Sequence, residues 1–462
     1  MGVNDATCSA GGKPSLAGST SCRIAEGSAS YFASTGGQDV LLGYKQTELG
    51  ILPEDWRVAS LRSLLKVPPS YGINAAAVAF DETLPTYLRI TDIGEDGRFR
   101  PSPRVSVRSP AAERYFLEEG DLVLARTGAS VGKSYLYSSS DGSLVFAGFL
   151  IRVSPQPDWL APTYLAYYAQ TRLYWNWVST VSVRSGQPGI NGKEYGSLKV
   201  PLPRPAEQRA IAEALSNVDG LLGALDALIA KKRAIKQAAM QQLLTGKTRL
   251  PSFSEEWETK PLGELSEIRS GGTPSTGDPS AWGGDIPWCT PTDITALDGH
   301  KYLVATSRTI TAHGLKNSSA ELIPAGSVIM TSRATIGECA VNLVPVTTNQ
   351  GFKNFVPSEC VHGEFLYYLL TNQKAGFVAL CGGSTFLEIG KSQLRSYQVR
   401  TPANVEEQAA ISAVLSAMDA EISGLERRRD KTRAIKQGMM QQLLTGRVRL
   451  VQPAGEADAR RA

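Results

Sequence analysis
Histidine is nearly missing: His300, His313 and His362 are the only three in 462 residues, and the six cysteines (Cys8, Cys22, Cys289, Cys339, Cys360, Cys381) include no C-x-x-C pair. Cys360 and His362 form an isolated pair without the further ligands a zinc site needs, so no metal site is expected. No stretch holds the ~18 uninterrupted apolar residues of a membrane span. The N-terminus lacks the basic-then-apolar pattern of a secretion signal, which leads to reduced thiols and a cytoplasmic location as expectations.

Catalytic motifs are also scarce. "TGASVGKS" (Thr127 to Ser134) resembles a phosphate loop but has three residues between its glycines where G-x-x-x-x-G-K-[ST] has four. The corresponding "SRATIGEC" keeps Gly337 and loses both Lys and Ser. No N/D-P-P-F/Y methylase motif, Ser/His/Asp arrangement or paired-carboxylate nuclease pattern is present. Asp92 and Asp293 recur beside strand-like runs, where a turn or cap role is expected. The net charge of +4 permits a polyanionic partner without demanding one.

What the sequence does have is duplication. Glu207 to Leu250 set over Glu407 to Leu450 without a gap gives 23 identities in 44 positions. The echo extends outward at an offset of 201, pairing Trp56 with Trp257, Leu61 with Leu262, and the "TDI" at Thr91 with that at Thr292. "EGDLVLARTGASVG" from Glu119 is similar to "AGSVIMTSRATIG" from Ala325. Internal repetition of this kind outranks local readings. The chain therefore reads as a Ser/Gly/Ala-rich extension (1–42) expected to be disordered, a globule (43–204), a helix (205–250), a second globule (251–403), a second helix (404–450) and a disordered tail (451–462).

Both helices have marked ends. Pro205 suits a first turn, Asn404 with Glu407 fits a capping box, and Gly246 and Gly446 suit the left-handed position after the last turn. Between the caps, Ile211, Leu215, Val218, Leu222, Leu225 and Ile229 advance by alternating fours and threes, and Ile411, Leu415, Met418, Ile422 and Leu425 repeat the rhythm. Arg429 replaces the next seam residue, and Ile235 and Ile435 fall off the heptad. A helix of roughly 38 residues spans about 57 Å. Two such rods, each following a similar globule, bury their seams most symmetrically as an antiparallel pair. The expected fold is α+β: two mixed α/β domains separated by two long helices paired as an antiparallel coiled coil, with a pseudo-twofold internal repeat.

Two divergent heads about such an axis suit duplex DNA, whose half-sites lie about 34 Å apart per turn. The repeated "EQRAIAEALSNVD" and "IKQAAMQQLLTGKTRL", with their copies "EQAAISAVLSAMD" and "IKQGMMQQLLTGRVRL", resemble the specificity subunit of type I restriction-modification enzymes over about Gly43 to Leu450. The resemblance implies a non-catalytic subunit whose two target recognition domains each read half of a bipartite, asymmetric DNA site, with the helices setting the spacer. It also implies docking of two methyltransferase subunits and of restriction subunits. S-adenosylmethionine, ATP and Mg would reside on those partners and no cofactor in this chain. The alternative is a coiled-coil scaffold joining two protein partners without sequence readout.

Phosphate contacts need Lys or Arg, and base edges need bidentate Arg, Asn or Gln. The candidates for DNA contact are Arg126, Lys133, Arg184 and Gln187 in the first head, and Arg333, Asn349, Gln350, Lys353 and Lys391 in the second. Arg126 and Arg333 are expected near equivalent turns. Tyr71, Trp282 and Trp288 are candidates for packing on sugars or bases, although aromatics in such runs more commonly fill cores. The off-seam Arg233, Lys236, Gln241, Gln242, Arg433, Lys436, Gln441 and Gln442 are the candidates for subunit docking.

Overall fold
The computed structural model describes residues 43–183, 187–381 and 387–451, together with the backbone of two short paired strands, Phe32–Ala33 and Val40–Leu41. The expectations of disorder at both ends fall almost entirely outside these residues, as does Arg184. The chain divides into two compact units, Met1–Leu215 with Gly438–Ala462, and Ser216–Gln437. This cuts across the head and helix boundaries expected from the sequence, because the ends of the long helices bury their apolar faces in the cores of the heads.

In the first unit, strands Ser134–Leu136, Leu122–Ala125, Leu150–Pro155 and Leu65–Tyr71 form an antiparallel sheet in that order. A second, mixed sheet runs Leu144–Phe146, Thr86–Leu88, Val105–Val107, Ala77–Ala79. All four residues of Leu122–Ala125 are buried, as expected for a run packed on both faces. The principal core also takes in Ile211, Ala212 and Leu215 from the start of one long helix and Met440, Leu443 and Leu444 from the end of the other. Burying a Leu- or Ile-sized side chain contributes roughly 1.5–3 kcal/mol, enough for these helix ends to be fixed by tertiary packing.

The second unit repeats the plan. A five-stranded sheet runs Ser266–Ser270, Phe352–Pro357, Val328–Thr331, Cys339–Asn342, Tyr302–Leu303, beside a three-stranded sheet of Arg308–Ile310, Trp282–Cys289 and Thr347–Thr348. Its core includes Met240, Leu243 and Leu244 with Ile411 and Leu415. Trp288 is buried and structural, and the half-buried Trp282 packs edge-on against it with Arg308 over both rings. Asp293 caps its turn, accepting from Thr290 and Ser307. Burial pushes that carboxyl up, but the N–H donors outweigh it and leave the pKa below the ordinary value.

The long helices run Pro205–Leu243 and Val405–Leu443, 39 residues each. Gly246 (φ 69°) and Gly446 (φ 70°) take the left-handed conformation as expected, and the N–H groups of Thr248 and Val448 return to the Gln242 and Gln442 carbonyls. The expected capping box at Asn404 is only half present. Asn404 Oδ1 accepts from the Glu406 N–H, but Glu407 turns away to bond Arg249 and Trp257. No helix among the described residues is long and apolar enough to cross a membrane.

The duplicated "EQ" and "RL" dipeptides have a structural meaning that local pattern did not reveal. In the first unit, Glu207, 1% exposed, accepts from Trp56 Nε1 at 3.1 Å and from Arg449 at 2.5 and 2.8 Å; the same guanidinium also grips Asp55. In the second unit, Glu407 accepts from Trp257 Nε1 at 3.2 Å and from Arg249 at 2.7 and 2.8 Å. Gln208 donates to the Trp159 and Pro203 carbonyls and accepts from the Ala161 N–H, while Gln408 makes the matching bonds with Cys360, Pro402 and His362.

Within the second unit the two helices exchange ion pairs: Asp219 with Lys436, Asp226 with Arg429, Lys232 with Glu421, Arg233 with Glu426, and Lys236 with Asp419. Leu225, Ile229 and Ile422 are buried along the same stretch. Arg429, at the position where the first copy has Ile229, keeps its charge by pairing with Asp226 and Asp430.

Candidate nucleic-acid interface
In the first head three segments converge at one end of the antiparallel sheet. The turn after Leu122–Ala125 begins at Arg126, whose N–H donates to the Phe149 carbonyl and whose own carbonyl accepts from the Ile190 N–H. Thr127 bridges Gly189, and the Gly128 N–H donates to the Pro188 carbonyl. The Arg126 backbone is thus bonded on both sides. Its guanidinium carbon lies 4.8 Å from the centre of the Tyr71 ring. Tyr71, at the end of its strand, is 43% exposed and accepts from the Gly192 N–H through its hydroxyl. The core role more common for such aromatics does not apply to it. Lys133 is paired with Glu95 at 2.7 Å, and Gln187 is exposed beside Gly128.

The second head builds its corresponding edge from Ser332 to Thr335, Asn349 to Lys353 and Leu387 to Lys391. The Ser332 N–H donates to the Gly351 carbonyl, and the Ser332 carbonyl accepts from the Ile389 N–H. Arg333 bridges Glu388 through the backbone and pairs with it at 3.0 Å. Asn349 Oδ1 accepts from the Gly351 N–H, Gln350 accepts from Thr273, and Lys391 is exposed. All five second-head candidates therefore lie on this edge.

One expectation needs correction. Lys353 is not a surface cation: only 6% exposed, it occupies the register position held in the first head by the buried Ile151. Burial holds its ammonium pKa below the ordinary value; Glu388 works against that shift, while Arg333 and Lys391 add to it. Arg126 and Arg333 lie in equivalent turns, one position apart. By backbone pairing Arg126 corresponds to Ser332, and Arg333 to Thr127, because the first turn is one residue longer.

Glycines shape both edges. A Cβ on Gly72 would lie 2.2 Å from the Ala147 carbonyl oxygen, and one on Gly271 would lie 1.8 Å from that of Asn349, so only glycine lets these strand ends cross. Sequence reasoning missed this pair, although a glycine after the strand in both copies was the available signal. It also missed Phe149, 60% exposed where the second head has Gly351. A lone apolar residue in a turn gave little warning.

Of the helix residues, Lys236 pairs with Asp419 at 2.5 Å and Lys436 with Asp219 at 2.8 Å. Both lysines, candidates for docking, are thus engaged within the second unit. Arg233 reaches Glu426 and Arg433 reaches Asp430, yet both stay more than half exposed. Gln241, Gln242 and Gln441 are exposed, and Gln442 is half-buried.

The family model described as type I restriction modification DNA specificity domain matches residues 87–232 and 254–432. The MjaIX specificity subunit of Methanocaldococcus jannaschii is 38% identical over 174 residues, covering 37% of this chain and 40% of that one. The MjaX specificity subunit of the same organism is 26% identical over 435 residues, covering 88% and 97%. The Escherichia coli EcoR124I/EcoR124II specificity subunit is 29% identical over 233 residues, covering 49% and 56%. Among solved structures, a chain from work on complex assembly and conformational transition of the type I R-M system superposes with a TM-score of 0.54 at 17% identity, covering 86% of this chain and 99% of that one. The S subunit from M. genitalium gives 0.53 at 14%, covering 84% and 96%.

Proposed function
The chain belongs to the type I restriction modification DNA specificity family, and from that premise we propose that each head reads one half of a bipartite DNA site, with no catalysis of its own. The observation that carries this reading is the edge found in both heads, where three separated segments are bonded together around exposed or half-exposed Arg, Gln and Lys side chains. Backbone bonding of the loops holds such groups in place for readout. Arg126, Lys133, Arg184 and Gln187 would serve one half-site, and Arg333, Asn349, Gln350 and Lys391 the other, without the buried Lys353.

The long helices act in this proposal as an antiparallel coiled-coil spacer. Residue numbers rise along one helix as they fall along its ion-paired partner, and Lys236–Asp419 becomes Asp219–Lys436 when each residue is exchanged for its copy 200 positions away. A pseudo-twofold repeat generates that reciprocity. Partner docking falls to the exposed ends of the helices, around Arg233, Ile235, Gln241 and Gln242 and their counterparts Arg433, Ile435, Gln441 and Gln442. Ile235 and Ile435 are 44% and 50% exposed, which suits a protein partner. Two methyltransferase subunits and restriction subunits would occupy these surfaces, bringing S-adenosylmethionine, ATP and Mg.

Methylated-base sequencing of cells with and without the gene, beside its methyltransferase, tests the reading. A gapped adenine motif should depend on the gene, and replacing 43–203 by another family head should change one half-motif only. If no motif depends on the gene, or both halves change, the proposal fails. Salt-independent or undetectable duplex binding would favour the scaffold alternative.

A further inference from the structure
We infer that Arg126, seated on Tyr71 with Phe149 beside it, reads a guanine in the half-site of the first head, a device absent from the corresponding edge of the second head. The inference rests on the heads being DNA-recognition domains. Among the described residues Arg126 enters no ion pair, whereas Lys133 and Arg333 are each engaged by a carboxylate. The Tyr71 ring covers one side of the guanidinium and leaves N–H donors for a planar pair of acceptors. In the major groove that pair is O6 and N7 of guanine. A cation over an aromatic face is also held more firmly than a flexible surface arginine.

The platform is rigid for reasons that have nothing to do with the ring itself. Gly72 crosses the Ala147 peptide too closely for any side chain, its N–H donates to the Leu150 carbonyl, and the Tyr71 hydroxyl is tied to the Gly192 N–H. Phe149 shares its carbonyl with the Arg126 N–H and exposes 60% of its surface, an apolar group poised for a thymine methyl or a sugar beside the guanine. At the corresponding places the second head has Ser270 for Tyr71, Ser332 for Arg126 and Gly351 for Phe149. The two heads therefore use different chemistry on the same backbone frame.

The test uses the full chain with its methyltransferase partner and reads methylated motifs in cells. The half-motif that moves when 43–203 is exchanged should contain a guanine. Arg126→Ala should relax that one position, lowering preference for guanine roughly 5- to 100-fold while the other half-motif stays unchanged. Arg126→Lys, which keeps the charge and loses the fork, should relax the same position, and Tyr71→Leu should do so more weakly. An unchanged motif, a half-motif without guanine, or a uniform loss of methylation by folded Arg126→Lys protein would overturn the assignment. If the wild type directs no gapped motif at all, the family-level function fails instead, so the two failures are distinguishable.

Discussion
Replacing Arg449 by Met isolates one of the most enclosed charge pairs in the first unit. Glu207 is 1% exposed and has three N–H donors, two from Arg449 and one from Trp56. Without Arg449 its carboxylate keeps only the indole, in a site with almost no water. Removing one partner of a buried pair costs about 3–5 kcal/mol, against about 0–1 kcal/mol for an exposed pair. Exposure places this pair in the first class, so Arg449→Met should lose about 3–5 kcal/mol in urea unfolding followed by helical circular dichroism. Adding Glu207→Gln removes the stranded charge while preserving an acceptor for Trp56. The double variant should recover to a deficit of about 1–2 kcal/mol, the worth of the lost hydrogen bonds. A single-variant loss below about 1 kcal/mol, or a double variant no more stable than the single, would refute the reasoning. Asp55 adds a pH signature. Hydrogen bonding to Arg449 is the main cause of its lowered pKa, so its contribution is in place above the ordinary value of 3.8 and is lost as acid passes the folded value. Arg449→Met should remove that acid-sensitive part of the stability curve. Arg249→Met should behave similarly but more mildly, since Arg249 is 26% exposed against 17% for Arg449 and bonds one carboxylate rather than two.

Lys236→Glu places a carboxylate against Asp419 and should cost about 1–3 kcal/mol by thermal melting, and the Lys236→Glu/Asp419→Lys exchange should recover at least half, as a direct pair requires. Gly72→Ala and Gly271→Ala each force a methyl into a backbone carbonyl and should cost at least about 1–3 kcal/mol; Gly220→Ala, on a helix with nothing within 4 Å, should gain up to about 1 kcal/mol. Lys353→Met should leave the melting temperature at pH 7 unchanged or raised. The fold disfavours the charged ammonium, and that penalty is complete below the lowered folded pKa and disappears above the ordinary value of 10.5. The advantage of Met should therefore shrink as the pH approaches 10.5, and a large loss at pH 7 would contradict the burial argument.

The long helices were legible because their information is local: an apolar rhythm, a proline at the start and a glycine past the end. Glu407 shows where that information stops. Its place three residues after Asn404 spells a capping box, yet Arg249, 158 positions away, offers a charged fork that outbids one backbone N–H. Lys236 and Lys436 looked exposed because a one-helix projection cannot include the acids of the other helix. Lys353 looked like a phosphate contact because composition cannot tell a surface strand position from one facing the core. For Glu407, Lys236 and Lys436 the deciding partner lies more than 150 residues away, beyond the reach of periodicity.

The distribution of differences between the copies follows from the same distinction. Glu207 and Glu407, Trp56 and Trp257, Gln208 and Gln408, and Arg449 and Arg249 are kept because each belongs to a buried hydrogen-bonded set, so a single change strands a buried partner. At the edge, Arg126 against Ser332, Tyr71 against Ser270 and Phe149 against Gly351 differ because backbone bonds common to both heads hold the loops. Divergence there still has a limit. Writing Tyr and Arg into the second head at positions 270 and 332 would set the new ring and guanidinium beside Lys353, which pairs in register with Ser270, and near Arg333, whose pairing with Glu388 already neutralises part of the local charge. A third cation in that partly dry site is unfavourable unless Lys353 first becomes apolar, as Ile151 is in the first head. Ser332 is itself 0% exposed, so moving guanine readout from one head to the other requires at least Lys353→Ile together with Ser270→Tyr and Ser332→Arg, and the two serine substitutions alone should weaken the second half-motif without creating a new one.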